Sequence, residues 1–198
     1  AYRATMAMHG IDYLAGAVEL GDFDATSTTV GIAPGGEITT LPQPALDRTF
    51  AKYLENFRAR RDGTLAWDAY TPYELRVVGT FVRLGRKEVA HELLDFFFRD
   101  QRPPAWNHWA EVVWKDPTAP KFIGDMPHTW VGSDYIRSVT DMFAYEREDD
   151  DALVVGAGIA EDWVTTAPGV SMRALATHYG PLTYTMSGTA SEVRVRIE

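Results

Sequence analysis

Residues 101–130 read QRPPAWNHWAEVVWKDPTAPKFIGDMPHTW and hold four tryptophans, two histidines and five prolines, with Glu111 and Asp125 among their acids. A segment of this length without helical or strand periodicity is usually either functional or disordered. Disordered segments are poor in aromatics, and this one is rich in them. Indole rings beside carboxylates suit a carbohydrate: the flat ring covers the apolar face of a pyranose, while acids meet hydroxyl and glycosidic oxygens. Glu111, with Trp106 and Trp109 before it and Trp114 after, is the candidate general base that would activate a water. An ordinary loop acid paired with Arg102 or Lys115 is its alternative.

Around Glu111, the indoles of Trp106, Trp109 and Trp130 are stacking candidates, although tryptophan more often packs inside. His108 and His128 are candidate contacts to sugar hydroxyls. Asp125 is either a second polar contact or a cap on the turn before Pro127. Farther upstream, Trp67, Asp68 and Tyr70 stand just ahead of a helix start as rim candidates. Asp22 is a further ligand candidate in an acidic turn, where Asp24 is better placed as a helix N-cap. Glu74 is explained by a capping box on Thr71.

Other chemistries find little support in the residue types. No HExxH, paired-histidine or EF-hand pattern occurs, and the three-residue spacing of His108 and Glu111 does not make a metal site by itself. The glycines of GAGIAE at 156–161 lack the third glycine and the following helix of a dinucleotide fingerprint, and no G-x-S-x-G elbow is present. Neither a metal nor a cofactor is expected. With 28 acids against 19 bases and a net charge of −9, nucleic acid and an anionic membrane surface are poor partners. Cysteine is absent, which excludes disulfides and thiolate ligands without settling the compartment; cytoplasmic and exported locations both remain open. No apolar run reaches membrane-spanning length.

These residues have to be positioned by a helical scaffold. Apolar spacing predicts helices over 2–17, 44–60, 71–84, 86–99 and 131–146. Thr71, Pro72 and Glu74 mark the third start, and Gly85 its stop. Residues 25–34 are rich in β-branched types, so a short helix between Asp24 and Pro34 competes with a strand. Six helices in series make three hairpins whose connections alternate between two ends. By that parity the turn at 18–24, the loop at 62–70 and the loop at 101–130 share one end. Beyond Glu146 the period becomes two, with strands expected over 153–159, 169–178, 182–186 and 192–197. The expected organisation is α+β in segregated regions, with helices in 1–150 and strands in 151–198.

The succession TPYELRVVGTFVRLGRKEVAHELL, RPPAW, WAEVVW and MPHTWVGSDYIRSV resembles the C-terminal half of six-hairpin glycosidases, nearest to the bacterial α-L-rhamnosidase family. That family has a T-P-x-x-L helix start, a G-x-x-x-x-A helix, a P-S-W element, a W-E motif and an N-H motif opening a glycine-containing inner helix. Here these steps correspond to Thr71-Pro72, Gly85 through Ala90, Pro104-Ala105-Trp106, the stretch around Glu111, and Pro127-His128. Ala110 separates Trp109 from Glu111, a departure from the family pattern. The resemblance implies a partial (α/α)6 barrel of three hairpins followed by an incomplete antiparallel β-sandwich. It also implies an inverting mechanism in which Glu111 is the base and the general acid lies upstream. The chain starts without methionine and ends within an alternating strand, so an excised fragment is expected, inactive alone. Its partners would be a carbohydrate and either the missing barrel half or a second copy covering the exposed helical flank. A glycan-binding module without turnover, or a purely structural half, are the alternatives.

Overall fold

The computed structural model describes residues 1–118 and 121–198, so residues 119 and 120 of the proline-rich loop lie outside it. Helix α1 (Tyr2–His9) is half as long as the spacing predicts, because Gly10 takes the left-handed conformation and ends it. A short α2 (Ala25–Thr28) follows, with the Asp24 carboxylate accepting the Ser27 N–H as its cap, and continues as a 3-10 turn, Thr29–Gly31. The β-branched segment is therefore helical, held by its cap and not by propensity. Next come α3 (Ala45–Arg61), α4 (Leu75–Arg83), α5 (Lys87–Arg99) and α6 (Thr129–Phe143).

Helix α4 is the centre. Leu75, Val77, Val78, Gly79, Thr80, Phe81 and Val82 are all buried, and the two arginines, Arg76 and Arg83, are turned onto α6, so every side of it meets protein. Antiparallel α3 packs on one side, with Phe50 edge-on to Phe81 at 5.9 Å and Arg60 paired to Glu74 ahead of α4. On the other side α6 runs parallel to α4. Arg76 binds Asp134 at 2.7 Å and Arg83 binds Asp141 at 2.7 Å, the same seven-residue step on both helices. Between these pairs the chains close up. A Cβ on Gly79 would come within 3.2 Å of the Ser138 Cα, and Ser138 donates to the Leu75 carbonyl at 2.7 Å.

The helix start at Thr71 forms, but not as the expected capping box. Thr71 makes no side-chain cap, and residues Pro72–Glu74 form a 3-10 turn. The Glu74 carboxylate turns inward instead, to Arg60 (2.7 and 2.8 Å) and the Tyr53 hydroxyl (2.8 Å). A buried arginine competes better for a carboxylate than one exposed N–H does, since a charge-assisted bidentate pair is the stronger contact.

Strands are short and antiparallel. β1 (Ala69–Tyr70) pairs with β2 (Val113–Trp114). β3 (Ala144–Arg147) pairs with β4 (Ala152–Val155), so strand structure begins where the last helix was expected to continue. A five-residue helix, α7 (Glu161–Thr165), follows GAGIA and contradicts the expectation that no helix does. β5 (Val170–Thr177), β6 (Gly180–Thr189) and β7 (Glu192–Ile197) form the third sheet, in that order. The four strands expected beyond Asp150 thus divide between two sheets. These pack through Ala144, Leu153 and Val155 against Leu182 and Tyr184, and Tyr184 donates to the Phe143 carbonyl at the end of α6. The chain is α+β, and no described helix is long and apolar enough to cross a membrane.

Burial pushes the Asp141 carboxyl up despite the Arg83 charge beside it. Arg83→Met would strand that carboxylate and is expected to cost about 3–5 kcal/mol of stability, most of it recovered by adding Asp141→Leu. Urea unfolding followed by circular dichroism reads both variants, and equal losses would disprove the coupling. Burial, then the Glu74 charge, pushes the Tyr53 phenol well above its ordinary value. The folded chain keeps that proton after the unfolded chain has lost it, so stability is complete below about pH 10 and declines as pH rises beyond it. Tyr53→Phe should flatten this alkaline decline in thermal melts while costing about 1 kcal/mol at neutral pH. An unchanged alkaline slope would refute the assignment.

Candidate functional site

The acidic and aromatic connections do meet at one end of the helices. β1 brings the 62–70 loop to β2 in the 101–130 loop, and Lys115 donates its N–H to the Asp68 carbonyl at 2.8 Å. From the first connection, Phe23 and Asp24 line a hollow with Leu65 and Thr71. The 62–70 loop thus touches both of the other connections.

Glu111 is set by a local backbone pairing within the long loop. Its N–H donates to the Asp125 carbonyl at 3.2 Å, and Val112 donates to Ile123 at 3.0 Å. The side chain then lies across Gly124, whose φ is +67°. A Cβ there would sit 2.1 Å from Glu111 Oε2. Glycine is needed twice over, for its conformation and for the space. Arg102, one of the alternative partners, goes to Asp100 and to the Trp114 carbonyl. Among the described residues the half-buried Glu111 carboxylate has neither a salt bridge nor a hydrogen bond.

Beside it stands His128, expected from the sequence as a ligand contact, paired with Tyr73, which the sequence did not single out. The Tyr73 hydroxyl and His128 Nε2 share a 2.7 Å hydrogen bond, and His128 donates its backbone N–H to the Trp109 carbonyl. The other ring nitrogen, Nδ1, is buried without a partner, as is Nε2 of His108, whose Nδ1 meets the Trp106 carbonyl. Loss of hydration, then the Glu111 charge, raises the Tyr73 phenol; Arg76 opposes this while Asp134 and Asp125 add to it. One phenol thus senses Glu111, Asp125 and the α4–α6 ion pair together. Trp130, 59% exposed, stands edge-on to Tyr73 at 5.3 Å. The only hint of Tyr73 in the sequence is an aromatic inside a helix's first turn, where the 3-10 geometry splits Tyr73 and Glu74 to opposite sides.

Several expected ligand contacts are corrected. Trp109 is 3% exposed, donates its indole N–H to the Phe97 carbonyl and packs on Tyr135, so it has no open face for stacking. Tyr70 is buried against Phe96 and Phe97 with its hydroxyl on Asp100, and is core and not rim. Trp67 is half-buried and leans edge-on against Tyr70. Asp22 closes its own turn by accepting the Ala17 N–H, and Asp24 is the acid of that turn facing the shared hollow. Trp106, 61% exposed, keeps an open face, and Asp68 lines a surface hollow with Trp114 and Lys115. What remains together is Glu111, Asp125, His128, Tyr73 and the exposed Trp130.

In comparisons with known proteins the chain matches no family model, no curated protein and no solved structure. Gly124→Ala is expected to displace the Glu111 carboxylate while leaving the helices in place. It should change the Tyr73 and His128 side-chain NMR resonances without loss of helical circular dichroism. Unmoved resonances would contradict the packing of Glu111 on Gly124.

Proposed function

We propose that this chain supplies the general-base side of a carbohydrate-cleaving cleft of the inverting, α-L-rhamnosidase-like kind. In that reading its helices are three hairpins of an (α/α)6 barrel, and its strands are part of an antiparallel β-sandwich. The observation that carries the proposal is the lone Glu111 carboxylate, half-buried and free of ion pairs among the described residues, beside an oriented phenol–imidazole pair. A carboxylate already neutralised by arginine, as Glu74 is, makes a poor base; one held without a cation can accept a proton.

In an inverting hydrolysis Glu111 would take a proton from water as the water oxygen bonds to the anomeric carbon. A carboxylic acid on the other face, roughly 6.5–9.5 Å away, would protonate the leaving oxygen. The Tyr73 hydroxyl and His128 would meet substrate hydroxyls, and the open indoles of Trp130 and Trp106 would cover sugar faces. Asp125 adjoins Glu111 on the paired backbone, so it is a polar contact and not the opposing acid. That placement also favours a second reading, recognition of a glycan without turnover.

With the natural gene product that contains this chain, Glu111→Gln is expected to lower the hydrolysis of aryl glycosides by about 10²–10⁴-fold, the usual size of a general-base contribution. An unchanged rate would remove Glu111 as the base. Glycan affinity in calorimetry, with no turnover by the wild-type protein, would replace the first reading with the second.

A further inference from the structure

The sheet of β5, β6 and β7 has two outer edges, and they are not alike. On β5 the strand is broken by a bulge between Met172 and Leu175, where Ala174 takes a φ of +50°. Bulges twist an edge out of reach of a further strand. β7 pairs with β6 from Glu192 to Ile197 without a break, and among the described residues no strand lies beyond it. Its phase follows from Glu198, whose N–H donates to the Thr183 carbonyl at 2.9 Å. Bonded positions alternate along an antiparallel pair, so Glu192, Arg194 and Arg196 bond to β6 while Val193, Val195 and Ile197 aim N–H and C=O outward. Opposite these three on β6 stand Gly188, Met186 and Tyr184, on the face that β3 and β4 cover at Leu182 and Tyr184. The cover does not extend to β7, where Val193, Val195 and Ile197 are 56%, 45% and 61% exposed. A straight β-branched edge with open backbone groups and a bare apolar flank is a template for one more strand.

The charges on the opposite face of β7 choose that strand. Residues 192–198 read Glu-Val-Arg-Val-Arg-Ile-Glu, a pattern that complements itself when reversed. A parallel copy in register would set each arginine on its own image, and like charges directly opposite are destabilising. An antiparallel copy centred on Val195 would set Arg194 against Arg196 and Glu192 against Glu198. Centred on Arg194, it sets Glu192 against Arg196 at both ends and Val193 against Val195 on the apolar face, with one arginine pair at the two-fold axis. Centring on Val193 or Arg196 also opposes unlike charges, but keeps only 192–194 or 195–197 of the strand paired. We infer that β7 is a pairing surface for a second copy of this chain, which adds its own β7 antiparallel about Arg194 and joins the two sheets into one. Val193 and Val195 of each copy then exchange N–H and C=O bonds, and their side chains close into one apolar strip. A single strand pair lies at the low end of interface sizes, so the dimer is reversible and depends on concentration. This surface is separate from the helical flank and uses none of the residues around Glu111.

The test is sedimentation velocity of the wild-type chain from about 10 µM to about 1 mM, where a shift from monomer to dimer is expected. Val195→Pro removes only an outward N–H and keeps the bonds to β6. It should weaken the dimer about tenfold or more, since the two-fold axis doubles each lost bond. Glu192→Arg sets Arg against Arg, and Arg196→Glu sets Glu against Glu, so each variant alone should stay monomeric. Mixed together they again oppose Arg to Glu at both ends, and a heterodimer is expected. Both side chains are exposed, and circular dichroism should show each variant folded as the wild type is. A monomer across the whole range would overturn the inference. So would a dimer that Val195→Pro leaves at full strength, which would move the contact to another surface, or charge variants that do not associate when mixed.

Discussion

Two arginine–aspartate pairs one heptad apart set the relation between α4 and α6. Seven residues are about 10.5 Å of helix rise, close to two turns, so Arg76 and Arg83 lie on one stripe of α4 and Asp134 and Asp141 on one stripe of α6. Hydrophobic packing alone tolerates sliding between smooth helices. Two buried ion pairs do not, since a slip of one residue would leave charges unpaired in the interior. Between them Gly79 and Ser138 let the backbones approach. The pairs act as a register device as much as a source of stability.

That register reaches the candidate site directly. Tyr73 stands three residues before Arg76, and His128 stands six before Asp134, so fixing the ion pair fixes where the phenol meets the imidazole. The 101–130 loop is thereby anchored at its C-terminal end by α6. Near its N-terminal end it is anchored by Trp109, whose buried indole binds the last turn of α5. Glu111 lies between those anchors, on backbone paired to 123–125. Part of the loop's aromatics is spent on holding its described residues, which is why only some of its tryptophans remain open to a ligand.

Two glutamates end in opposite electrostatic conditions. Glu74 is buried with two guanidinium nitrogens and a phenol, a saturated acceptor whose role is to join α3 to the start of α4. Glu111 has glycine beneath it and a phenol–imidazole pair beside it, and among the described residues no salt bridge takes up its charge. Identical side chains thus separate into a structural tie and a candidate proton acceptor. The one-turn 3-10 segment carries both contacts, Tyr73 to His128 and Glu74 to Arg60 and Tyr53.

Periodicity was enough to place α3, α5 and most of α6, because each carries a one-sided apolar stripe, and the same holds for the alternating β7. The first helix ended early at Gly10, a local glycine stop, whereas the split of the strands into two sheets and the direction of Glu74 were not legible. Each depends on competition from a distant residue or on backbone geometry that no local pattern encodes. The gathering of aromatics and acids near Glu111 could be read from composition. Which indoles are open could not, because Trp106 and Trp109 differ in the sequence only by three positions, while one faces solvent and the other fills the space between α5 and α6. Residue types determine what chemistry is available; burial and partner choice, decided by tertiary contacts far apart in the chain, determine which of those residues are free to perform it.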